Sequence, residues 1–407
     1  MFLFWGLFAH IKGLYGSWRD WLFGDGAAQP ADVYERIRQC RGVVDFSFAN
    51  GDATSKGIDL CSRLALRAKA NQHLADALGI LNSLTTDDPA TQKTFLRQAT
   101  QRLKKMALPE HWQQLYRHCE SVFEKGIVDY QDNNHLPLAA LVRGLCLQSV
   151  MHILFQVSHH DKEDIDIVCS EINKQWMLSK EAQGPRSTVQ QSGPLNDAQA
   201  RLLQYGVEPD MPPQEALGLI LPSYEALWRV VLLTYVTVCH RSDGAVHARL
   251  EKVDVLSVLG TGNAEEKELL QEGLRLFPSS KSIYRAQSLS PRDKTTISGN
   301  VCALHRDKDI WGSDALVCRP ERFNDCGNTL QKEAYLPFGL YPHLCPAYHG
   351  FGERLIVLLV TLMSLRLGPE GASIVFNNTD LDGIMDAELP TGRCDMEDWE
   401  LVMKEGG

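Results

Sequence analysis

LPFGLYPHLCPAYHGFGERLIVLLVTLMSLRL, Leu336 to Leu367, sets one cysteine, Cys345, where a loop rich in glycine and proline meets a long apolar run. Gly339 permits dihedrals closed to other residues and Pro342 fixes one, so the loop before the sulfur can wrap closely. Pro346 suits the first turn of a helix that continues through HGFGERLIVLLVTLMSL. A sulfur at such a helix N-terminus faces unpaired N–H groups and the positive end of the helix dipole, and both favour thiolate. The other reading open to these residues is a buried thiol packed as a small hydrophobe.

The rest of the chain sets bounds on this choice. At 407 residues, 44% hydrophobic and 23% charged, it is one large water-soluble domain or two, with ample material for a core. A net charge of -10 and the lack of a basic face argue against nucleic acid as a partner. The 11 cysteines are scattered without a CxxC pair, which suits reduced thiols in an intracellular compartment better than a disulfide framework. Cys302 with His305, and His343 with Cys345, have zinc-like spacing but no second matching pair.

Residues 1–30 open with MFLFWGLFAHIKGLYGSWRDWLFG, too interrupted by His10, Lys12, Arg19 and Asp20 for a spanning helix of about 20 apolar residues. An amphipathic segment on a membrane surface, such as that of the endoplasmic reticulum, and one packed on the protein's own core both stay open. From Ala31 to Val157 apolar residues recur at three and four, which predicts stacked helices. Ser179 to Gln199 is polar, aperiodic and broken by Gly and Pro, hence a loop. Pro212 to Arg241 predicts a buried helix, kinked or broken at Pro222. Ala264 to Pro278 predicts a shorter helix, and the run from Ser282 a small sheet.

Three motifs in this order resemble the cytochrome P-450 family of haem-thiolate proteins. The family's haem loop reads F-G-x-G-x-R-x-C-x-G; Phe338, Gly339 and Cys345 match it, while Tyr341, His343 and Ala347 replace Gly, Arg and Gly. EGLRLFP carries the family's E-x-x-R through Glu272 and Arg275, and RPERF its following meander through Pro320, Glu321, Arg322 and Phe323. The resemblance implies a mainly α fold with a small β-sheet region, residues 31–400 forming a single haem domain with reduced N-terminal and lid regions. It implies haem b as cofactor, Cys345 as the axial iron ligand, and His343 and Arg285 as contacts to haem propionates. Glu272, Arg275 and Arg322 would form a buried charge network behind the loop. Trp112 and Arg117 resemble the family's W-x-x-x-R helix with one residue too many, and an ordinary amphipathic helix is the favoured reading.

The distal pattern departs. Where the family has an acid followed by two threonines, this chain has Glu225, Ala226 and Leu227. Glu225 is either the proton donor, acting through a bound water, or a structural carboxylate paired with Arg229 one turn on. The resemblance implies a monooxygenase of an apolar small molecule of specialised metabolism, a terpenoid or polyketide, with NADPH-cytochrome P-450 reductase supplying electrons. The style of the cysteine segment is similar to that of filamentous-fungal members, shortened and divergent. A haem-thiolate isomerase, dehydratase or cyclase needing no external dioxygen, and a non-oxidative ligand-binding or cyclising protein on the same fold, stay open.

Overall fold

Helix start signals in the sequence become helix starts in space. The computed structural model describes residues 30–49, 58–158, 161–181, 201–202, 211–242, 244–253, 264–324, 329–348, 350–377, 381 and 388–404. Its first half is helical: α1 (Pro30–Asp45), α2 (Leu60–Ala70), α3 (Gln72–Leu78), α4 (Pro89–Met106) and α5 (Pro109–Tyr130). Asp59 caps α2 by accepting the Ser62 N–H at 3.0 Å, and Asp88 caps α4 by accepting the Thr91 N–H at 2.8 Å, with Pro89 in the first turn. A short strand, β1 (His135–Pro137), leads into α6 (Leu138–Phe155), followed by α7 (Lys162–Glu181).

The second half contains α8 (Pro213–His240), α9 (Gly244–Glu251), α10 (Ala264–Leu276), β2 (Ser282–Ala286), β3 (Thr296–Asn300), α11 (Val301–His305), α12 (Lys308–Trp311) and α13 (Thr329–Ala334). It ends with α14 (Phe351–Leu367), β4 (Ala372–Phe376) and β5 (Trp399–Met403). The expected small sheet is the antiparallel β2–β3 ladder, with Arg285 opposite Ile297. A three-stranded antiparallel sheet in the order β1-β5-β4 was not foreseen, because its strands come from distant parts of the chain and each is short.

The core is built on α6, α8 and α14, which pack α6 on α8 and α8 on α14. Leu138–Phe155 and Gln214–His240 are long and apolar enough to cross a membrane, but each is 78% buried inside the protein, so they are core helices. The expectations for residues 1–29, and for the greater part of the polar loop after Ser179, lie outside the described residues.

Of the expected kink or break at Pro222, the break does not occur: α8 runs on through it as one helix. Proline removes the N–H that would bond the carbonyl four residues earlier, on Gly218. That carbonyl instead accepts the side-chain amide of Asn82 at 3.1 Å. The approach depends on Gly218, since a Cβ there would lie 2.7 Å from the Leu81 carbonyl oxygen. A helix interruption legible in one segment is thus repaired by another 136 positions away.

Candidate active site

The cysteine loop is held from behind by a closed set of charges. Glu272 and Arg275, three apart on α10, meet through two bonds, Nε to Oε2 at 2.7 Å and Nη2 to Oε1 at 2.8 Å. The Nη1 of Arg275 donates to the carbonyls of His305 and Ala315, both at 2.7 Å. Arg322 brings Nε to within 3.4 Å of Glu272 Oε1 and donates Nη1 to the Trp311 carbonyl at 2.6 Å. All three side chains are buried, and none lines the cavity described below. The neutral ring of His305 passes this order on, its Nε2 accepting the Leu336 N–H at the start of the loop.

Within the loop the Cys345 N–H donates to the Phe338 carbonyl at 3.0 Å, closing it around Gly339, whose φ is +73°. The helix beyond does not begin at Pro346 as expected. Pro346–Tyr348 form one 3-10 turn, Gly350 at φ +86° caps, and α14 starts at Phe351. Burial pushes the Cys345 thiol up, opposed only in part by the Ala347 N–H. A thiolate here needs a cation at the sulfur.

Cys345, Phe338, Gly339 and His343 line a cavity of about 2430 Å³ that is also bounded by α4 and by the Glu225 segment of α8. Ligand pockets are usually roughly 300–1,000 Å³, so there is room for a large cofactor and a substrate together. One part of the wall carries uncompensated positive charge. Arg67, on α2, and Arg285, on β2, are 4% and 5% exposed. Arg67 donates to the Ser83 carbonyl, and Arg285 to the Tyr284 carbonyl at 2.8 Å with its guanidinium 4.4 Å over the Phe46 ring. Neither has an acidic partner among the described residues, and the Nε atoms of Arg63, Arg67 and Arg285 bond nothing. Burial pushes Arg67 down to about 10, and burial together with Arg67 pushes Arg285 down to about 9.

His343 sits beside them with Nδ1 3.4 Å from the Gln92 amide and Nε2 unbonded. Burial, then Arg67, Arg285 and Arg63, push His343 down to about 3. Arg67 and Gln92 were missed by the sequence reading. The spacing of Arg63 and Arg67, one turn apart on α2, was the available signal. Trp112 is in the core, edge-on to Phe351, and Arg117 is exposed; the helix at the cavity is α4, not α5.

Glu225 is 5% exposed and lines the cavity with Ala226. The expected structural partner, Arg229, instead donates Nη2 to the Ser279 carbonyl at 3.0 Å, while Glu225 Oε2 forms its ion pair with Arg393 from the segment before β5. Oε1 lies outside that pair.

A half-buried thiol in a loop wall, beside a cavity with guanidinium groups that lack a counter-charge among the described residues, suits an iron porphyrin. The sulfur would supply a donor to its iron, and the cations would meet its two carboxylates. Residues 270–352 match the family described as Cytochrome P450. The chain is 35% identical over 114 residues to cytochrome P450 714A2 of Arabidopsis thaliana, 25% of this chain and 22% of that protein. It is 36% identical over 89 residues to the bifunctional cytochrome P450/NADPH–P450 reductase 1 of Bacillus subtilis, 19% of this chain and 8% of that protein. The matched stretch thus spans less than a quarter of these relatives' lengths. Others occur in a nematode and a yeast, so the similarity is not confined to filamentous fungi. The crystal structure of CYP175A1 from Thermus thermophilus superposes with a TM-score of 0.55 at 16% identity, covering 78% of this chain and 82% of that one. The fold is the mainly α cytochrome P450 fold.

Proposed function

We propose that the chain is a haem-thiolate monooxygenase acting on a small molecule with an apolar body, a terpenoid or polyketide of specialised metabolism, and that residues 31–400 are its haem domain. The observation that carries this reading is Cys345 in the wall of a cavity whose buried Arg67 and Arg285 lack any described counter-charge. Cys345 would be the axial ligand of haem b; Arg67 and Arg285, with Gln92 and His343, would hold its propionates. When bound, haem supplies dioxygen reduction and O–O cleavage, which thiolate donation favours. Phe338 and Gly339 shape the wall beside the sulfur, and the Glu272, Arg275 and Arg322 network keeps that wall rigid. Glu225 Oε1, the oxygen outside the ion pair with Arg393, would relay protons between waters in the cavity, accepting one before it gives one up. A separate NADPH-cytochrome P450 reductase would supply electrons, a role consistent with the reductase joined to the Bacillus subtilis relative.

Ala226 lines the cavity where a hydroxyl would serve proton delivery, and this favours a second reading, a haem-thiolate isomerase, dehydratase or cyclase whose oxygen is already in its substrate. Turnover with reductase and NADPH separates the two. Product that requires both, with coupling raised in Ala226→Thr, supports the monooxygenase; product formed equally without them supports the second reading.

A further inference from the structure

Around Glu225 the cavity wall holds more positive charge than one carboxylate balances. Arg393, 9% exposed, pairs through Nη2 with Glu225 Oε2 and lays its guanidinium 4.3 Å over the Trp176 ring. Its Nη1 is buried and has no hydrogen-bond partner among the described residues. Arg229 keeps an unbonded Nε, and burial, then Arg393, push it down to about 10, leaving it charged at neutral pH. Lys180, near the end of α7, feels both arginines and Glu225. All of these residues line the same cavity.

Neutralising Glu225 accounts for one of these three cations. It does not account for the half-buried Arg229, nor for a buried guanidinium edge that has no partner among the described residues; Lys180 is exposed to solvent at the rim. A desolvated cation without an anion is costly, whereas a planar guanidinium with free N–H groups matches a carboxylate. Apolar lining from Leu96, Val150 and Ile153 borders the same space. We propose that the substrate carries a carboxylate, held by Arg393 Nη1 and Arg229 with Lys180 beside them, while its apolar body lies along the cavity. The inference rests on reading this cavity as the substrate pocket.

Glu225 then competes with the substrate for Arg393, which gives the test opposite signs at two positions. Calorimetric titration of the haem-loaded protein with dodecanoate and with its methyl ester should show the acid binding roughly tenfold more tightly. Arg393→Gln should erase that preference. Glu225→Gln, which removes the competitor, should tighten the acid and leave the ester unchanged. Because Arg393→Gln leaves Glu225 buried and unpaired, the double variant Glu225→Gln/Arg393→Gln, with folding checked by circular dichroism, must also lose the preference. Equal affinity for acid and ester, binding of neither, or a preference that survives both Arg393 variants overturns the proposal. Failure of the haem reading registers separately, as a protein without a Soret band that still prefers the acid.

Discussion

The ring of His305 accepts the backbone N–H of Leu336 at 2.8 Å through Nε2, while the carbonyl of the same histidine accepts Arg275 at 2.7 Å. One residue therefore joins the buried charge network of α10 to the first residue of the cysteine loop, and it does so only while its imidazole is neutral.

That requirement makes stability depend on pH. Burial, with Arg275 adding to it, pushes His305 from 6.5 down to about 3. The unfolded chain takes up the proton near 6.5 and the folded chain does not until about 3, so the stabilisation is full above 6.5 and is lost as pH falls. His343, lowered to about 3, and His240, lowered to about 4, act in the same direction. Urea midpoints should fall between about pH 7 and pH 5, His305 contributing about 2 kcal/mol. His305→Gln, which keeps an acceptor but cannot titrate, should flatten the dependence.

Glu272 answers two buried arginines. Glu272→Ala would leave both without their carboxylate and should cost about 3–5 kcal/mol in equilibrium unfolding, far more than loss of an exposed pair such as Arg38 with Glu35.

The Asn82 amide supplies what Pro222 removes from α8. Asn82→Ala should destabilise by about 1–3 kcal/mol, the cost of a buried carbonyl left unbonded. Gly218→Ala should cost a similar amount for a different reason, since its Cβ would meet the Leu81 carbonyl at 2.7 Å and backbone cannot step aside.

Arg67 and Arg285 should show a trade between stability and cofactor. Each is a buried cation without a described acid, so Arg67→Met or Arg285→Met should leave the haem-free protein as stable or more stable, while lowering the fraction of protein that retains haem on gel filtration. Reduced stability together with full haem retention would argue that these arginines serve the fold instead.

The legible and illegible parts of the molecule divide on physical lines. Local period and punctuation were enough for α4, α5, α10 and the β2–β3 hairpin, because their spacing, caps and prolines lie within each segment. The Glu272 and Arg275 spacing likewise placed both groups on one helix face. What failed depended on distant partners. The repair of Pro222 by Asn82, the pairing of β1 with β5, and the union of Glu225 with Arg393 join residues that no local pattern connects. The lowered pKa of His343 was equally hidden, since Arg67, which contributes to it, comes from a helix far earlier in the chain. The delayed start of α14 turned on Gly350, whose left-handed φ separates the turn after Cys345 from the helix.

The central claim is that Cys345 gives its sulfur to a haem iron. The reduced, carbon monoxide-treated protein should display the red-shifted Soret band of thiolate ligation, and Cys345→Ser should lose it. An absent band in the parent protein, or the same band in Cys345→Ser, would contradict the account.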